Sequence, residues 1–77
     1  MKTLREWRAD RLESSKTLSA KTGVSNKTIL AIENGRQLPT FRTIQRLSEA
    51  LGVEPQEVQE FAAAITERGR QRSRSES

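Results

Sequence analysis

The 77 residues hold one small domain, since self-supporting domains begin at about 55–65 residues and commonly need roughly 100–150. Fourteen Lys and Arg against ten Asp and Glu give a net charge of +4 and a pI near 10.4, a bias toward polyanionic partners. Cys, His and Tyr are absent, which excludes disulfides, thiolate metal sites and imidazole bases, so no enzyme activity, metal or cofactor is expected.

Apolar residues recur at helical spacing from the start: Leu4, Trp7 and Leu12 in the first stretch, with Thr3 and Glu6 spaced as a capping box. Ser14 can cap a second helix carrying Leu18 and Thr22, and Ser25 a third carrying Ile29 and Ile32. Thr40, after Pro39, can cap a fourth with Ile44, Leu47 and Leu51. Pro55 suits the first position of a fifth, whose stripe is Val58, Phe61, Ala62 and Ile65. Gly23, Gly35 and Gly52 mark the intervening helix ends. No run alternates with period two, so the chain reads as all-α, a compact five-helix bundle. Trp7 and Phe41 fall in phase with the apolar stripes and are expected in the core.

The domain is expected to span residues 1–66. From Glu67 onward, ERGRQRSRSES has no apolar residue, and residues 67–77 read as a disordered basic Arg/Ser tail. No window approaches a membrane span, and MKTLREWRAD places charges where a signal peptide needs an apolar run, so an intracellular setting is expected.

Charge is unevenly placed. Residues 16–46 hold Lys16, Lys21, Lys27, Arg36, Arg42 and Arg46 against Glu33, a net of +5, and residues 47–60 hold Glu49, Glu54, Glu57 and Glu60 against no cation, a net of −4. The basic part suits a phosphate backbone and the acidic helix would face away from it. Within the basic part, Leu18 to Gly35 reads as two short helices joined by a tight Gly23-Val24-Ser25 turn. The bend requires Gly23 and the wedge Val24, and anchoring Ile29 and Ile32 leaves Asn26, Lys27, Leu30 and Ala31 pointing outward. A helix held this way fits the DNA major groove, which is about 12 Å wide.

The turn TGVS, the phrase TILAIENGR and the run LPTFRTIQRLSEALGVEP resemble the lambda-repressor-like helix-turn-helix regulators, also called the Cro-type or xenobiotic-response-element family. The resemblance covers roughly residues 3–60 and places the helix-turn-helix at helices two and three. It implies base contacts from Asn26, Lys27, Leu30 and Ala31, with phosphate contacts from Ser15, Lys16, Ser25, Thr28, Asn34, Arg36 and Arg42. Asn suits adenine, Lys suits guanine and an exposed Ala suits a thymine methyl. Arg8 and Glu33 match a pair that links the first helix to the end of the recognition helix. Three positions depart from the pattern: Ser15 replaces a common Gln, Glu13 an apolar core residue, and Ser19 a small Ala. Glu13 is expected to reach water or a cation such as Lys16.

The resemblance thus implies a sequence-specific regulator of double-stranded DNA, a repressor acting as a homodimer on a pseudo-palindromic operator. It would sit in a bacterial, archaeal or phage-encoded cytoplasmic, nucleoid-associated setting. Val58, Phe61, Ala62 and Ile65 suit either the core or a two-fold dimer seam. The alternative is an antitoxin or adaptor module whose main role is docking a protein partner.

Overall fold

In the computed structural model, which describes the backbone of residues 1–76 and the side chains of residues 1–69, four helices start at the hydroxyl residues the sequence singles out. Thr3 precedes α1 (Leu4–Asp10), Ser14 precedes α2 (Ser15–Thr22), Ser25 precedes α3 (Asn26–Glu33) and Thr40 precedes α4 (Phe41–Leu51). Each hydroxyl accepts a hydrogen bond from the backbone N–H three residues on, at 3.2, 3.0, 3.1 and 3.2 Å in turn. Each bond satisfies a donor that the first helical turn leaves without an intrahelical partner. At α1 the capping box is complete, because Thr3 N also donates to Glu6 Oε1 at 2.9 Å. Those Thr3 bonds hold the Glu6 carboxyl below the usual glutamate value.

The fifth helix begins later than its proline suggests. Pro55–Glu57 is a single 3-10 turn, Val58 is extended, and α5 runs Gln59–Glu76. Val58 forms a parallel bridge with Lys2, and Gln59 N donates to Lys2 O at 2.9 Å. That pairing takes the chain out of helical geometry between the turn and α5. At the other end α5 continues beyond residue 66, the expected domain boundary, so the stretch read as a disordered tail is helical through Glu76. No proline interrupts it, and Arg68 ties it back, donating from Nε to Pro39 O at 2.8 Å and from Nη2 to Leu38 O at 3.2 Å.

Leu4, Leu18, Ile29, Ile32, Leu47, Val58 and Phe61 are fully buried, and Val24, Ile44, Leu51 and Ala64 complete the core. Every helix contributes, which follows from the 3.6-residue stripes in the sequence. Ala64, not Ala62, is the fully buried alanine of α5, since at about 100° per residue Ala64 lies about 60° from the buried Phe61 and Ala62 about 100°. Trp7 is half-buried against the core, its Nε1 donating to Glu57 O at 3.0 Å, with the Lys2 and Arg11 cations 4.8 and 5.1 Å from its ring centre. Phe41 is not in the core. It opens α4 and is 47% exposed.

Leu12 departs furthest from expectation: it is 94% exposed and, among the described residues, the one non-glycine with positive φ, at 55°. The chain needs a left-handed residue there to turn from α1 into the Ser14 cap, and a Cβ in that conformation costs roughly 1–2 kcal/mol. The side chain recovers nothing by packing. Leu12→Gly is therefore expected to stabilise the fold by about 1 kcal/mol, a rise of roughly 4–8 °C in a thermal melt followed by circular dichroism. An unchanged or lower melting temperature would contradict a strained loop.

Candidate nucleic-acid interface

The two helices α2 and α3 meet at Gly23, whose φ of 75° is the left-handed conformation that ends α2. Gly23 N donates to Ser19 O at 2.9 Å, and Val24, 8% exposed, enters the core immediately afterwards. A Cβ at Gly23 would touch only Arg46 Nη1, at 3.6 Å, so the requirement for glycine there is conformational. Thr22 braces the turn: its hydroxyl donates to Leu18 O at 2.8 Å and accepts from Val24 N at 3.2 Å.

On α3 the inner face is fixed by Ile29 and Ile32, 0% and 1% exposed. The outer face carries Lys27, exposed, and Leu30, 38% exposed, with Asn26 and Ala31 half-buried beside them. Asn26 is the first residue of α3, and its Oδ1 is buried with no partner among the described residues. Around this face Lys16, Asn34, Arg36 and Arg42 are exposed, and Ser15 and Thr28 are half-buried. The Ser25 hydroxyl is already engaged, accepting from Thr28 N and donating to Thr28 Oγ1 at 2.8 Å. The outward set thus shares one helix surface and its flanks, while Ser25 shapes the start of that helix.

Behind α3 sits a bidentate ion pair. Arg8 Nε donates to Glu33 Oε2 at 2.6 Å and Nη2 to Glu33 Oε1 at 2.9 Å, with the side chains 13% and 6% exposed. Arg8 Nη1 also donates to Glu13 O at 3.1 Å. The hydrogen-bonded carboxylate pushes the guanidinium pKa further up, against the effect of burial, so Arg8 stays charged at any working pH. One side chain of α1 therefore holds the loop before α2 and the last residue of α3.

Glu13 is nearly buried at 12% exposure, and its Oε1 pairs with Lys21 instead of the expected Lys16. Lys21 lies on the last turn of α2, facing back over the loop, whereas Lys16 on the first turn faces solvent. The other Glu13 oxygen is buried without a partner among the described residues. Two further cations have neighbours that the sequence does not indicate. Arg46 lies beside the Gly23 turn, and Arg68 grips the backbone leading into α4. Neither has a local spacing that links it to its partner.

Of the four residues read as a possible pairing seam, Val58 and Phe61 are 0% exposed within the single chain and Ile65 packs against its core. Ala62 alone of the four lies outside that packing, so this stripe is spent on the chain's own interior.

A tight left-handed turn, a helix anchored on one face and polar on the other, and exposed cations around it define a helix-turn-helix DNA-binding regulator. The helix-turn-helix family model of the Cro/C1 type matches residues 4–58, and the chain belongs to that family. Comparison with curated proteins and with solved structures gave no match. The family is one of DNA-binding regulators and is generally non-enzymatic. Among the described residues no helix is long and apolar enough to cross a membrane.

Removing one partner of the Arg8–Glu33 pair leaves a nearly buried charge uncompensated. Glu33→Ala is expected to cost about 3 kcal/mol in urea denaturation, the lower end of the range for buried pairs because Arg8 keeps some solvent access. Replacing both, as Arg8→Met with Glu33→Leu, is expected to recover most of that loss. A single variant as stable as the parent would show that the pair contributes nothing.

Proposed function

We propose that this helix-turn-helix regulator is a sequence-specific repressor that binds a pseudo-palindromic operator as a homodimer and acts by occupancy. In this reading α3 lies in the major groove. Asn26 and Lys27 lead, offering an amide for adenine and an ammonium for guanine O6 or N7, and Leu30 and Ala31 offer apolar contact one turn later. Ser15, Lys16, Ser25, Thr28, Asn34, Arg36 and Arg42 position the protein on the backbone, helped by free N–H groups at the start of α4. The observation that carries the reading is the one-sided anchoring of α3: Ile29 and Ile32 are buried while Lys27 and Leu30 stand exposed between exposed cations.

Arg8 and Glu33 act as positioning residues, because they set the angle of α3 without facing the DNA surface. Two copies related by a two-fold axis would place their α3 helices about 34–36 Å apart, one turn of duplex. The pairing surface lies elsewhere than the Val58 and Phe61 stripe.

Selection from a random double-stranded DNA library at about 150 mM salt, where nonspecific electrostatic binding is weakened, tests the reading directly. Two short inverted half-sites are expected; recovery without a motif would overturn sequence recognition. On the selected site Lys27→Ala is expected to cost about 1–3 kcal/mol and relax preference at one position. Arg42→Ala should weaken binding to all sequences and flatten the salt slope by about one. If both variants bind like the parent, the docking is wrong.

A further inference from the structure

One face of α4 is left open beside the core. Phe41, Gln45 and Glu49 fall on it at successive turns, and with Val53, Pro55 and Ile65 they line a groove of about 420 Å³ that Glu54 also edges. Its floor is apolar and includes the half-exposed Phe41 ring. Its charged rim is wholly acidic: Glu49 and Glu54 line it, no Lys or Arg does, and neither carboxylate is in an ion pair among the described residues. This is the reverse of the surface around α3, where the exposed charges are cations.

From Phe41 to Glu49 the groove follows α4 for eight residues, roughly 12 Å at 1.5 Å per residue. That length accepts two turns of a helix presenting apolar anchors at i and i+3 or i+4. The rim decides what the rest of the occupant carries. A second copy seated face to face would bring its own Glu49 and Glu54 to the same interface, four carboxylates with no lining cation to offset them. The groove therefore suits a partner whose charge is opposite.

From this we infer that the α4 groove is a docking site for a cationic amphipathic segment of a partner protein, one or two large apolar side chains flanked by Lys or Arg. The anchors seat against Phe41, Val53 and Ile65, and the flanking cations meet Glu49 and Glu54. The groove shares no residue with the base-contacting set on α3, so its occupancy does not depend on which DNA sequence α3 reads.

The test is a display selection of random 12-residue peptides on the purified full chain, followed by fluorescence anisotropy with the selected peptides. Enriched peptides are expected to combine a large apolar residue with flanking Lys or Arg. Their affinity is expected to fall roughly tenfold in Phe41→Ala, an exposed position where truncation leaves the core intact, and in Glu49→Lys with Glu54→Lys. Lys27→Ala should bind them like the parent, and affinity should fall as salt is raised. Enrichment of acidic or uncharged peptides, or none at all, would overturn the proposal, as would affinities unchanged in the groove variants. Self-association that Phe41→Ala abolishes would also overturn it, assigning the groove to a second copy.

Discussion

The arrangement of this chain depends on a single guanidinium. Arg8 spends its donors on Glu33 at the end of α3 and on the Glu13 carbonyl in the loop before α2. Three segments far apart in sequence therefore share one rigid planar group, whose fork geometry matches a carboxylate in one orientation. Apolar burial holds the helices together, but it is nearly indifferent to small rotations of one helix against another. A bidentate pair is not. The value of such a pair is geometric more than energetic, since the desolvation of both ions offsets much of their attraction. For a helix that must meet a groove at a fixed angle, geometry is the quantity that matters.

Local features of the fold are legible in the sequence because local chemistry decides them. The caps at Thr3, Ser14, Ser25 and Thr40 are set within four residues, as is the left-handed Gly23. The Arg8–Glu33 pair was legible only through family resemblance, because nothing in a single chain links positions 25 apart. What was missed is non-local. Leu12 and Phe41 are in phase with buried stripes, yet each sits where its helix ends or begins, and the inward face there has run out. Lys21 outcompeted Lys16 for Glu13 because the pairing depends on how the loop folds over α2. Composition places Arg68 in a tail, and composition cannot register that two backbone carbonyls lie within reach.

Charge separation along the chain acquires meaning only in three dimensions. Of the four acidic residues between positions 47 and 60, two have structural duties. Glu60 accepts from Leu4 N at 2.8 Å at the start of α1, and Glu57 accepts from Glu54 N at 2.8 Å. Glu49 and Glu54 remain to edge the α4 groove. The basic residues divide likewise, Lys21 and Arg8 into internal pairs and Lys16, Lys27, Arg36 and Arg42 to the surface. A net charge of +4 therefore understates the contrast between the two sides.

The contacts of Leu4 with Glu60 and of Lys2 with Val58 and Gln59 join the start of α1 to the start of α5. They close a loop of 56 residues, and closing one that long costs an entropy worth of order 3–4 kcal/mol. That cost falls when the intervening helices are already packed, because the ends are then held near each other. Folding is thus favoured from the middle outward, with α2, α3 and α4 assembling through close-range contacts and α1 joining α5 last. The same clasp makes the termini interdependent: α1 cannot fray without releasing the start of α5, and with it the wall that covers the core.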